Sequence, residues 1–301
     1  MSLPKVSIIL RNKNSEETMA EVLKALYSQD FDDFELIVMD SGSRDKSLEW
    51  VQPAAAQIYQ LDPADYFPGK VLNQAAQKAQ GEILVFLNSD VVMLNKQVLT
   101  ELLKPFADEA VVASFARQVP RPEADPWVRR DYTKAFPSEG PAPRWMTFSL
   151  PLAAMRKKTW QKMPFYTWAW GSEDSEWGHR ALQQGLKIAY VPQAEVMHSH
   201  NYTLKQLYGR RFIEGEADAY MQSSAYPLCK GPLRVLADSL RDLTISLKQG
   251  QIKEGVMAFP RRLVFHLAHY RGWCHGWKRL QAHSQDASKG QVTVLQSHPA
   301  A

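Results

Sequence analysis

Short apolar runs and helical stripes alternate along the first half of the chain. Val6–Leu10 (VSIIL), Phe34–Met39 (FELIVM) and Ile83–Leu87 (ILVFL) are short, largely apolar segments that each end in a polar turn. This is the pattern of strands buried on both faces of a parallel sheet. Between the first two, Met19, Val22, Leu23 and Leu26 recur at i, i+3, i+4 and i+7, the spacing of one helical face. Asn14 followed by Glu17 predicts a capping box at its start. Strand, helix and strand together read as a βαβ unit.

The rhythm continues with a weaker strand at Ile58–Leu61 and a helix over Gly69–Gln80, its inner side formed by Val71, Leu72, Ala75, Ala76 and Ala79. A helix from about Asn95 to Lys104 stops at Pro105, and a strand follows at Val111–Phe115. Arg117–Arg144 is rich in proline and reads as an irregular, partly mobile loop. Order returns at Phe148. A helix is expected at Lys157–Lys162, another at Glu173–Gln184 ended by Gly185, and short strands at Lys187–Val191 and Glu195–His198. After Asn201 the pattern is helical to about His283. The expected fold is therefore α/β with a Rossmann-like, mostly parallel sheet. Its layout would be a domain over 1–205, a helical carboxyl-terminal extension over 206–283 and a flexible tail over 284–301.

Composition narrows the class. With 301 residues, 45% of them hydrophobic and 23% charged, the chain can bury a sizeable core and is no candidate for disorder. Cys229 and Cys274 cannot build a disulfide framework and suit a reducing compartment. The start MSLPKVSII lacks a signal-peptide pattern, and no apolar run reaches the roughly 18 residues that span a bilayer. A cytoplasmic location is expected. The net charge of +4 is uneven: Thr203–His283 carries 13 Lys+Arg against 6 Asp+Glu. Either an anionic partner or a solvated helical surface accounts for that excess. Nucleic acid is not an expected partner.

Polar turns follow Leu10, Met39 and Leu87, at the carboxyl ends of strands, where ligands of open α/β sheets bind. They bring Asn12, Asp40 and Asp90 toward one crevice. Gly-x-Gly-x-x-Gly and Walker loops are both missing. A diphosphate would be held instead by a metal on Asp90, by Lys70 and by backbone N–H groups.

Four motifs in order carry a resemblance. The opening VSIILRNKNSE with VMDSGSRDKS, the stretch FPGKVLNQAAQKAQGEILVFLNSD, WAWGSEDSEWGHRA and VPQAEVMHSHNYT together resemble bacterial family-2 glycosyltransferases of the GT-A fold. The ending HSHNYT is most similar to members that transfer rhamnose. The resemblance implies a donor such as a UDP- or dTDP-sugar and a hydroxyl acceptor on a glycan or lipid-linked oligosaccharide. It implies Asp40 as partner of the nucleobase, with Arg11 and Asn12 lining the same pocket, Lys70 near the diphosphate, and Ser41, Asn73, Asn88 and Ser89 in the donor site. Asp90 would ligate Mg²⁺ or Mn²⁺, hard cations suited to carboxylate and phosphate oxygens.

Asn88 departs from the family pattern, replacing the first of two acids. An imidazole could supply the missing ligand. His198 and His200 alternate along a strand and share a face, and His198 matches the family's metal position better. Glu173 and Asp174 open a helix. They either favour its dipole or, as the resemblance implies, place Asp174 as the base that deprotonates the acceptor while Glu173 binds it, with inversion at the anomeric carbon. Trp168 and Trp170 are either a stacking wall for a sugar or core.

Pro260 reads as a helix start, after which Leu263, Leu267, Tyr270, Cys274 and Trp277 share a face flanked by Arg261, Arg262, Arg271, Lys278 and Arg279. That face could lie on the inner surface of a membrane as a peripheral contact, or pack on the catalytic domain or on a second subunit in a homodimer. The Gln-x-x-Arg-Trp motif of the family's processive polymerases is missing, so one sugar per encounter is expected. Two rivals stand beside the transferase. A sugar-nucleotide pyrophosphorylase should carry a glycine-rich first loop, which Arg11–Ser15 is not. A non-catalytic nucleotide- or carbohydrate-binding scaffold would explain Asn88.

Overall fold

The computed structural model describes residues 5–54, 57–167, 169–221 and 230–282. The expected tail over 284–301, Trp168 and Cys229 lie outside the described residues. The elements run β1 (Val6–Asn12), α1 (Glu16–Tyr27), β2 (Phe34–Asp40), α2 (Ser47–Val51), β3 (Gln57–Gln60), α3 (Pro68–Lys78), β4 (Ile83–Asn88), β5 (Val92–Met93) and α4 (Val98–Leu103). They continue with β6 (Val111–Val119), α5 (Pro126–Ala135), β7 (Leu152–Arg156), α6 (Lys157–Lys162), α7 (Glu173–Gln183), β8 (Lys187–Met197), α8 (Leu204–Met221), α9 (Lys230–Lys248) and α10 (Ile252–Gln281).

One eight-stranded sheet, ordered β3-β2-β1-β4-β7-β6-β8-β5, forms the centre. Its first half is parallel, with β1 between β2 and β4 and β2 beside β3. The second half is mixed: β7 runs antiparallel to β4 and β6, β8 runs parallel to β6, and β5 closes the edge antiparallel to β8. Alternate residues of β1 feed opposite layers, as strand geometry requires. Ile8 and Leu10 pack with Met19, Val22 and Leu26 of α1, while Ile9 joins Val71, Leu72, Phe86 and Trp177 on the other face.

Several expectations change. The Arg117–Arg144 segment contains α5, which begins at Pro126, because proline is well suited to the first helical turn. The capping box does not form: Asn14 sits at φ 49° and its side chain accepts from the Arg44 N–H (2.9 Å). The two short strands expected near the end are one, β8, with a register irregularity between Val191 and Glu195, where Pro192 cannot donate to the ladder. Pro260 lies inside α10 rather than opening it.

Helices α8, α9 and α10 pack together through a polar interior. Arg262 meets Asp242 at 2.6 Å, Arg261 meets Glu254 at 3.0 Å, and Arg279 is paired with the fully buried Glu216. Arg261, Arg262 and Arg279, expected to flank the apolar face of α10, are thus buried. Burial of a guanidinium requires such a partner, since an unpaired charge is too costly to desolvate.

Candidate active site

The carboxyl ends of β1, β2 and β4 and the start of α7 converge as strand termini of one sheet. At the outer end, Asn12 donates through Nδ2 to Asp40 Oδ1 (2.8 Å), Ser43 Oγ (3.2 Å) and Ser47 Oγ (3.0 Å). The N–H groups of Gly42 and Ser43 (3.1 Å each) donate to the other Asp40 oxygen. Asn12, Asp40 and Ser41 are therefore brought together, each buried, with the Asp40 carboxylate bracing its own turn. Lys70 is exposed in the first turn of α3. Asn73 accepts from Trp160 Nε1 and the Phe165 N–H and donates to the Phe165 carbonyl, pinning the loop before α7. Ser89 shares a 2.6 Å hydrogen bond with Ser15 and ties β4 to α1.

Arg11 points away from Asn12, as successive strand residues must. Its guanidinium donates to Glu173 Oε1 (2.9 Å) and to Asn88 Oδ1 (3.1 Å). It therefore links the position where the family pattern has an acid to the first turn of α7. Trp170 packs edge-on against Phe67 (5.4 Å) and tilted on Tyr66 (5.7 Å).

Asp90 lies just beyond β4, its backbone carbonyl held by Arg121 (2.8 Å). His200 Nε2 is 3.1 Å and His198 Nε2 3.5 Å from Asp90 Oδ2, and the three ligand atoms lie within 4.8 Å of one another. His198 donates from Nδ1 to Gln118 Oε1 (2.8 Å), and Gln118 in turn donates to Ser149 Oγ (2.9 Å). That chain holds the ring and turns Nε2 toward the Asp90 carboxylate. Burial lowers the His198 pKa, against the pull of Asp90. Burial also opposes the charged form of Asp90, but His198 and His200 outweigh it and hold the carboxyl well below its usual range. A carboxylate and two imidazoles turned toward one point form a donor set that suits a divalent cation. His200 thus joins His198 in the cluster. Gln118 was missed, since only the fold sets it behind His198.

A cavity of about 700 Å³ opens beside the histidines, lined by Arg11, Asn88, Trp170, Asp174, His198 and Arg210 among others. Asp174 Oδ2 accepts the Leu150 N–H (3.2 Å) and Oδ1 the Ser175 N–H (2.8 Å). Burial, reinforced by the charge of Glu173, pushes its carboxyl up. Arg210 and Arg211 of α8 enter the same cavity, both paired with Glu214; nothing in the local pattern of that helix pointed to them.

Glycosyl transferase family 2 matches residues 7–170, more than half of the chain. The chain belongs to that family. This family-2 glycosyltransferase is 27% identical over 226 residues to the O-antigen chain rhamnosyltransferase RfbN of Salmonella typhimurium, covering 70% of this chain and 71% of that one. It is 30% identical over 195 residues to the O-antigen chain rhamnosyltransferase WbaN of Salmonella anatum, covering 60% and 61%. Among solved structures, the mannosyltransferase PcManGT of Pyrobaculum calidifontis, in complex with GDP-Man and Mn²⁺, superposes with a TM-score of 0.57 at 19% identity, over 99% of this chain and 80% of that one. TarS 1–349 of Staphylococcus aureus gives the same score and identity over 93% and 92%. These likenesses identify the fold as GT-A.

Proposed function

We propose that this family-2 glycosyltransferase moves a deoxyhexose of the rhamnose type from a UDP- or dTDP-sugar to a hydroxyl of a growing glycan or lipid-linked oligosaccharide, with inversion at the anomeric carbon. The observation that carries the proposal is the sharing of one cavity. His198 and His200, the two imidazoles beside Asp90, and the raised carboxyl of Asp174 face the same space, bridged by Arg11 between Asn88 and Glu173. The names of the two curated relatives support the choice of sugar.

Asp90, His198 and His200 would hold Mg²⁺ or Mn²⁺, which neutralises charge on the leaving diphosphate. Asp174 takes the acceptor's proton. Two backbone N–H groups fix its carboxylate, and its raised pKa strengthens it as a base. Glu173, held by Arg11, positions the acceptor, and Trp170 offers the sugar an apolar wall. An Asp40 contact to the nucleobase requires the carboxylate to give up part of its present bonding to Ser43 and Gly42. Lys70 is free to swing toward the diphosphate.

Calorimetric titration with UDP, dTDP and GDP, each with and without Mn²⁺, tests the donor site. Metal-dependent binding of one nucleotide, lost in Asp90→Ala, is the expected result. Failure of all three would leave a scaffold. Asp174→Asn should lower turnover by about 10²- to 10⁴-fold with nucleotide affinity unchanged. A product that keeps the donor's configuration would remove Asp174 from its role.

A further inference from the structure

We propose that the outer face of the α9–α10 hairpin is a docking surface for an anionic lipid bilayer, on which the protein lies without crossing it. Sixteen large hydrophobic side chains are exposed among the described residues, and ten of them fall between Leu233 and Leu267. On α9 they are Leu233, Leu236, Leu240, Leu243 and Leu247, spaced three and four apart to form one stripe. On α10 they are Ile252, Val256, Phe259, Leu263 and Leu267, with Ile252 and Val256 each 71% exposed. Soluble proteins scatter such residues; a contiguous patch marks an interaction site.

Charge selects the occupant. The exposed charged side chains on α9 and α10, among the described residues, are Arg234, Arg241, Lys248, Lys253, Arg271 and Lys278, all cationic. The carboxylates of the two helices are all paired: Asp238 with His266 (2.8 Å) and with Arg241 (3.0 Å), Asp242 with Arg262 and Glu254 with Arg261. A second copy seated on this face would set cations against cations with no exposed carboxylate to answer them. An anionic bilayer matches both the apolar stripe and its basic border. No helix among the described residues is long and apolar enough to cross a membrane.

The surface adjoins the cavity. Asp238 and Arg241 of α9 line it, and Arg241 directly follows the exposed Leu240. Docking would hold the cavity mouth beside the lipid, where a lipid-linked acceptor presents its sugar. The surface itself stands without the transferase proposal.

Flotation of the full chain with vesicles is the test, comparing phosphatidylcholine alone with phosphatidylcholine mixed with phosphatidylglycerol. The protein should float with the anionic vesicles only. Lys248→Gln and Lys253→Gln should each weaken binding about fivefold, and Leu240→Glu with Leu247→Glu should abolish it. Circular dichroism and thermal melting of that double variant, compared with wild type, show that the rest of the protein is intact whatever the flotation shows and whichever nucleotide the site takes. Absence of wild-type flotation, or unchanged flotation of the leucine variant, overturns the proposal. So does a wild-type dimer in analytical ultracentrifugation that the leucine variant converts to a monomer, which would assign the face to a second copy.

Discussion

Helices α1 and α9 are both amphipathic and turn opposite faces inward. α1 buries Met19, Val22, Leu23 and Leu26 against the sheet and gives Glu16, Glu17, Glu21 and Lys24 to solvent. α9 buries Ser239, Asp242 and Ser246 beside Val235 and leaves five leucines outside. The difference lies in the neighbour. The sheet offers α1 an apolar layer, whereas α10 offers α9 the guanidinium of Arg262, which only a carboxylate can accompany into the interior. Periodicity locates an apolar stripe. The partner decides which way it faces.

Breaking the inward pair of α9 should have the largest effect. Asp242→Ala leaves Arg262 buried with only the more distant Asp131 (3.7 Å), and chemical denaturation should show a loss of about 3–5 kcal/mol. On the conventional side of the comparison, Leu26→Ala should cost about 3 kcal/mol by the same measurement. Glu214 of α8 sharpens the contrast through pH. Burial would raise its carboxyl, but Arg211 and Arg210 bring it down to about 2. A depressed folded pKa stabilises the protein fully above the unfolded range and loses that contribution as pH falls toward 2. On the order of 2–3 kcal/mol is at stake. The stability difference between wild type and Glu214→Gln should shrink steadily as pH is lowered from 5 or so. The smallest effect belongs to Leu240→Ala, within about 0.5 kcal/mol in lipid-free solution. A cost like that of Leu26→Ala would mean the leucine face is already covered.

The parallel half of the sheet was legible because β1, β2 and β4 are largely apolar runs ended by polar residues, as at Ile83–Asn88. The mixed half was not. β7 is the unremarkable segment LAAMR, made a strand by its antiparallel neighbours β4 and β6, and β5 is only two residues long. α5 was hidden behind the prolines around it. In the site, Asp90, His198 and Asp174 stood out by residue type and motif. Arg11 could be found, and strand alternation turns it away from Asn12, but its partner Glu173 stands 162 residues away and only the fold brings the two together. Gln118 and Arg210 reach the site only through pairings far apart in sequence, which no local pattern encodes.

The crossing of α8 and α10 has a mechanical consequence. A Cβ added to Gly215 would lie 2.0 Å from the His269 carbonyl oxygen, and one added to Gly272 would lie 1.9 Å from that of Phe212. The two backbones therefore touch at two points and leave no layer of side chains to slide across. Helices joined in this way move as one stiff body. α8 carries Arg210 and Arg211 into the cavity and α10 carries half of the outward apolar face, so the crossing joins that face directly to the helix that holds the two arginines.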